Sequence, residues 1–174
     1  NSDAILTGVS TIIYDNPQLN VRLSNYLKEY QPKKIILDTN GRVPFDSKTL
    51  DSNCILITSK IENKLKNKLC EKGVKIEYIP LGENRKLDLK YLPDILIKYN
   101  LINIFVEAGS TLPGELLYNN LVNKIILFIS PKIIGKSKFT PFGSKGINKI
   151  INSYKPKKII HSSIEDDVVI KAWL

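Results

Sequence analysis

Residues 102–119, INIFVEAGSTLPGELLYN, decide how the rest of the chain is read. Ile102–Val106 is a short, apolar, β-branched run, the mark of a buried strand. Gly109 and Gly114 bracket small hydroxyl residues, and Leu112–Asn119 returns to helical spacing. Pro113 falls in the first turn of that helix, where an absent N–H is tolerated. Strand, glycine turn and helix in this order form half of a parallel crossover unit.

The same alternation runs outward from it. Ala4–Thr7 predicts a strand and Val9–Tyr14 a short helix, stopped by Asp15-Asn16-Pro17. Lys33–Asp38 (KKIILD), Cys54–Thr58 and Val74–Ile79 predict further strands. A helix over Ile61–Lys72 is closed by Gly73, and Leu89–Tyr99 reads as a helix with Asp88 as N-cap and an awkward Pro93. Lys124–Ser130 is a strand, Pro131–Lys158 is loop-like, and Lys157–His161 and Asp167–Trp173 are terminal strands. The pattern predicts one α/β domain over residues 1–174: a mostly parallel central sheet flanked by helices, with an antiparallel C-terminal strand pair. In open sheets of this kind ligands bind beyond the C-terminal strand ends. That directs attention to Thr7–Thr11, Thr39–Pro44, Glu107–Gly114 and Pro131–Gly135.

Composition removes several classes of function. Two cysteines (Cys54, Cys70) and one histidine (His161) supply neither a disulfide framework nor a four-ligand zinc site, so no metal is expected and a cytoplasmic home fits. No apolar run reaches the roughly 18 residues of a membrane span, and the first ten residues lack a signal peptide's basic start. Methionine is absent, so residue 1 is read as lying downstream of the true N-terminus. The net charge of +9 comes almost wholly from lysine, with arginine only at 22, 42 and 85. Lysines scattered on amphipathic segments read as solvated faces rather than a nucleic-acid surface, although the charge can steer an anionic substrate.

Three clusters carry candidate chemistry. The turn at Gly109–Gly114 brings backbone N–H groups to the positive end of a helix, which suits a phosphate. It lacks the Lys-Ser/Thr pair of a P-loop and the glycine spacing of the dinucleotide fingerprint, and a tight turn alone also calls for glycine. Glu107, directly after an apolar strand, sits where a carboxylate accepts hydrogen bonds from a polar ligand or stabilises a developing cation. In the second cluster Thr11 and Asp15 share a helix face, and Arg22 offers the planar fork that recognises phosphate; turn formation with Asn16-Pro17 equally accounts for Asp15. Thr39, after Asp38, is the third: a hydroxyl for a cofactor phosphate or for an ST-turn.

Together these stretches resemble the C-terminal reductase domain of the bifunctional riboflavin-biosynthesis deaminase–reductase, a dihydrofolate-reductase-like fold. The matching segments are SDAILTGVSTIIYDNPQLNVR (2–22), KKIILDTNGRVP (33–44), IFVEAGSTLPGELL (104–117), FISPKIIG (128–135) and IEDDVVI (164–170), in family order. The resemblance implies reduction of 5-amino-6-(5-phosphoribosylamino)uracil by NADPH, which opens the ribose to the ribityl product. It implies cofactor contacts at Thr11, Asp15, Thr39, Gly109, Ser110, Thr111, Leu112, Pro113, Gly114 and Glu115. Substrate contacts fall at Leu19, Arg22 and Glu107, with Arg22 on the phosphate, and Asp15 and Glu107 are the catalytic candidates. A homodimer is also implied.

Two departures stand out. The family's upstream Lys-bearing strand and Ser/Trp segment are not in these 174 residues, and Asn123 stands where an acidic residue is common. The zinc-deaminase signature is absent, so a separate deaminase polypeptide is expected to supply the preceding step. The alternatives are a catalytically incomplete nucleotide-binding reductase fold and, less favoured, a basic nucleic-acid-binding domain.

Overall fold

The computed structural model describes residues 2–22, 31–133, 135, 140–143 and 150–174. The chain divides into two compact units, 1–109 and 110–174. The predicted loop over Pro131–Lys158, including the Pro131–Gly135 crevice loop, lies partly outside the described residues.

The first unit is a five-stranded sheet, entirely parallel, in the order β4-β3-β2-β1-β5. Its strands are β1 (Ala4–Gly8), β2 (Lys33–Leu37), β3 (Cys54–Thr58), β4 (Lys75–Tyr78) and β5 (Ile104–Val106). The helices are α1 (Val9–Asp15), α2 (Asn63–Glu71) and α3 (Leu92–Lys98). β1, β2 and β3 are buried on both faces and mostly apolar, as in a parallel sheet that carries helices on its faces. One face gathers Ile5, Ile36, Cys54 and Leu56 against Val9 and Ile12 of α1 and Leu69 of α2. Each such aliphatic side chain withdrawn from water contributes roughly 1.5–3 kcal/mol.

Small departures from the predicted spans have local causes. β5 starts at Ile104 rather than Ile102 because Asp3 occupies the two preceding amides: its carboxylate accepts from Ile102 N–H at 2.8 Å and Asn103 N–H at 2.7 Å. The Pro93 difficulty resolves into two pieces. Asp88 accepts from Lys90 N–H and starts a single 3-10 turn, Leu89–Tyr91; α3 then begins at Leu92 with Pro93 in its first turn. Gly73 ends α2 at φ 79°, and a Cβ there would lie 2.9 Å from the Ser52 side chain.

The second unit holds α4 (Thr111–Tyr118) and three antiparallel strands, β6 (Lys124–Ile129), β7 (Lys158–Ile164) and β8 (Asp167–Trp173), in the order β6-β8-β7. The terminal pair predicted from sequence is present as β7 and β8. β6 joins it on the other side of β8, and the three make a sheet of their own. Trp173 lies under the ammonium groups of Lys124 (4.8 Å) and Lys158 (5.4 Å), its register partners on the two flanking strands.

Leu56 is fully buried in β3, inside the parallel sheet, so Leu56→Ala is expected to lower the unfolding free energy by about 2–5 kcal/mol. Ile97→Ala, on the exposed side of α3, should stay within roughly 0.5 kcal/mol. Urea denaturation of the two variants checks both.

Candidate active site

The parallel strands leave the sheet at one edge, and the strand order reverses there. β2, β3 and β4 lie to one side of β1, and β5 lies to the other. The crevice at such a reversal is where open α/β sheets bind ligands. Three of the predicted segments begin at this edge. Glu107 follows Val106, the register partner of Leu6, and its N–H donates to Leu6 C=O at 3.0 Å. It is exposed and sits beside the end of β1. Gly8 pairs with Leu37, so α1 and the Asp38–Pro44 turn depart side by side. Thr11 lies one turn into α1 and is half-buried, as is Thr39.

The glycine loop follows directly from Glu107. Gly109 is exposed, and a Cβ placed on it would meet nothing within 4 Å, so its backbone is open to approach. Ser110 precedes α4 with no side-chain cap, and the first amide committed inside the helix is that of Gly114, to Ser110 C=O at 3.2 Å. The amides ahead of it belong to the helix start, which favours anions. Gly114 is buried, Leu112, Pro113 and Glu115 are half-buried, and Thr111 is exposed. An open glycine followed by an eight-residue helix start fits a diphosphate.

Asp15, Leu19 and Arg22 are not at that edge. α1 runs back along the sheet for about 10 Å from Gly8. Asp15 is its exposed last residue, at the negative end of the helix, where a carboxylate gains nothing for stability. Asn16 then turns left-handed (φ 42°). Thr49 Oγ1 donates to Pro17 C=O at 2.5 Å, and Lys48 N–H donates to the Asn16 side chain at 2.9 Å. Leu19 also has positive φ (49°), and its side chain is buried in the core with Ile12 and Val43. A ligand at Leu19 would therefore meet its backbone, not its side chain. Val21 is bonded to Gln31, ahead of β2, so the exposed Arg22 departs from the strand-start side of the sheet.

Two buried polar groups at the strand ends escaped sequence reasoning. Thr7 and Asp38 have no exposed surface, and neither Thr7 Oγ1 nor Asp38 Oδ1 has a hydrogen-bond partner among the described residues. Asp38 Oδ2 accepts from Val43 N–H at 2.8 Å and so shapes the turn that carries Thr39 and Arg42. The available signal was an acidic residue closing a buried strand, the feature that singled out Glu107. Burial pushes the Asp38 carboxyl above the usual range, partly offset by the backbone amides of Val43, Arg42 and Asn40 and by the Arg42 charge. Cys54 is inert by the same logic: burial moves its thiol up to about 12.

The parallel sheet with its reversal, the glycine turn and the antiparallel second sheet define the dihydrofolate-reductase-like class. Within that class, the family model of the RibD C-terminal domain matches residues 1–170, across both units. Riboflavin biosynthesis protein RibD of Aquifex aeolicus is 36% identical over 170 residues, 96% of this chain and 45% of that protein. The 5-amino-6-(5-phosphoribosylamino)uracil reductase of Buchnera aphidicola subsp. Acyrthosiphon pisum is 32% identical over 147 residues, 77% of this chain and 68% of its own. The structure of Acinetobacter baumannii RibD superposes with a TM-score of 0.80 at 26% identity, covering 99% of this chain and 47% of that one. The chain belongs to the RibD C-terminal domain family, and it spans about half the length of the curated RibD proteins it matches.

The raised Asp38 carboxyl has a pH consequence. Its stabilising contribution is fully present below the unfolded-state pKa and is lost as pH rises through the higher folded-state value. Asp38→Asn cannot ionise and keeps an acceptor for Val43 N–H. Urea midpoints measured from about pH 4 to 7 should fall for the parent as Asp38 ionises, and the variant should lack that part of the descent.

Proposed function

We propose that this chain is the reductase of riboflavin biosynthesis that converts 5-amino-6-(5-phosphoribosylamino)uracil to its ribitylamino product with NADPH. The observation that carries this reading is the open glycine turn after Glu107, at the strand-order reversal of a RibD C-terminal domain. Relatives named for this reduction support it. Bound NADPH would supply a hydride to C1′ of the open imine form of the sugar.

The chain's residues bind, orient and carry charge. The backbone of Gly109 and Ser110 and the amides of Thr111 and Leu112 would hold the diphosphate at the start of α4. The resemblance adds Pro113, Gly114 and Glu115 to the proposed cofactor contacts, and Thr11, Asp15 and Thr39 likewise. Glu107, exposed beside β1, would stabilise the cation that develops at the imine nitrogen as the sugar opens. Arg22 would hold the sugar phosphate with a bidentate, charge-assisted pair. Its departure from the strand-start side requires the substrate to lie along α1 rather than across the strand ends. The backbone of Leu19 borders that path.

Deamination of the preceding intermediate is supplied outside these residues. Among the described residues, no helix is long and apolar enough to cross a membrane, and a cytoplasmic site of action is part of the proposal. So is a homodimer, supported by the exposed apolar side chains Phe128, Ile159 and Ile164 on the antiparallel sheet.

Glu107→Gln and Asp15→Ala are expected to lower kcat by about 10²-fold or more, and full turnover in either variant removes that residue's catalytic role. Loss of reduced-nicotinamide absorbance with the phosphoribosylamino-pyrimidine is the assay. Before turnover is tested, NADPH at a hundred times its Kd should stabilise the protein by about 2.7 kcal/mol, read from thermal unfolding.

A further inference from the structure

We propose that Gln31 is a positioning residue for Arg22: its side-chain amide clamps the preceding residue, Val21, while its backbone carbonyl is tied, through Asn53, to the half-exposed Lys34–Asp51 ion pair. This rests on the reading above, in which Arg22 holds the substrate phosphate.

The clamp is two-pronged. Gln31 Oε1 accepts from Val21 N–H at 2.8 Å, and Gln31 Nε2 donates to Val21 C=O at 3.2 Å. One side chain thus satisfies both polar groups of a single peptide residue, as a neighbouring strand would. Gln31 is well placed to do so because Pro32 follows it and restricts its backbone to extended conformations.

Behind the clamp runs a continuous relay. Asn53 Nδ2 donates to the carbonyls of Gln31 (3.2 Å) and Pro32 (2.8 Å). Asn53 N–H donates to Asp51 Oδ1 at 2.9 Å, and Asp51 Oδ2 pairs with Lys34 Nζ at 2.6 Å. Lys34 is only 6% exposed and also donates to Thr49 C=O at 3.2 Å. Thr49 in turn holds Pro17 C=O. Both branches from Lys34 therefore end on the backbone of residues 17–21, immediately before Arg22.

That segment needs holding. Asn16 and Leu19 both sit at positive φ without being glycine. Such conformations persist only where the surroundings over-determine them. Nothing in turnover chemistry calls for Gln31 itself; its effect must pass through Arg22, the residue directly after the clamped Val21. A misplaced guanidinium weakens phosphate binding and leaves hydride transfer untouched, so the signature is in KM rather than kcat.

The test compares Gln31→Met and Arg22→Gln in the full chain, each with the phosphorylated substrate and with its dephosphorylated counterpart. Gln31→Met keeps the side chain's length and removes both polar prongs; Gln31→Glu, which keeps only the acceptor, is the second variant should the first fold poorly. The expected result is a roughly tenfold rise in KM for the phosphorylated substrate, with kcat within about twofold and no change for the dephosphorylated one. Arg22→Gln should show the same phosphate-specific loss, larger. If Arg22→Gln loses phosphate discrimination and the Gln31 variants do not, the positioning role is overturned while the phosphate role of Arg22 stands. If Arg22→Gln keeps full discrimination, the reading of Arg22 fails and the positioning role fails with it, whatever the Gln31 variants do. Equal losses on both substrates mark Gln31 as merely structural and overturn the inference.

Discussion

The ammonium of Lys34 is the constraint on which residues 16–22, directly after α1, depend. It stands in the second position of a buried strand, where an unpaired charge is costly. Its partners are therefore obligatory, and they come from the turn between β2 and β3, where Asp51 supplies the countercharge and Thr49 a carbonyl. Asp51 is half-exposed, so the pair's worth lies less in Coulomb energy than in fixing where these two residues sit. Once fixed, they leave Thr49's hydroxyl and Asn53's amide facing the segment that follows α1.

The two edges of the parallel sheet then have different tasks. At the strand ends, Glu107 follows β5, α1 follows β1 and the Thr39 turn follows β2, three adjacent strands, and Thr7 and Asp38 are buried at the ends of the last two. At the strand starts, hydrogen bonds from outside the segment hold residues 16–22 in a backbone that their side chains do not favour. α1 spans the distance between the two edges. Because the helix is short, Thr11 and Asp15 share one face yet stand about one turn apart along it.

Much of the fold was legible because its signals are local. The Ile-Ile-Leu of KKIILD and the CILI of CILIT are short apolar runs of the kind a doubly covered strand carries, and Gly73 and Asp88 end or begin their elements through their own local chemistry. The glycine turn and Glu107 were likewise legible, since a strand followed by a carboxylate and two glycines is a contiguous pattern. Family membership was carried by the order of five such contiguous stretches.

What tertiary structure decided are the relations between residues distant in sequence. The position of β6 beside β8 depends on long-range pairing, and periodicity says nothing of partners. Asp38 looked like a strand terminator, yet the turn folding back to Val43 buries it and raises its carboxyl. Leu19 and Arg22 read as neighbours facing one ligand, but a left-handed bend sends Leu19 into the core and leaves Arg22 at the strand-start side. Lys34 and Gln31 carry no motif at all; their roles exist only because Asp51, Asn53 and Val21 arrive beside them in space. Sequence fixes what each residue can donate, accept or bury, while the chain's return path fixes which partner receives it.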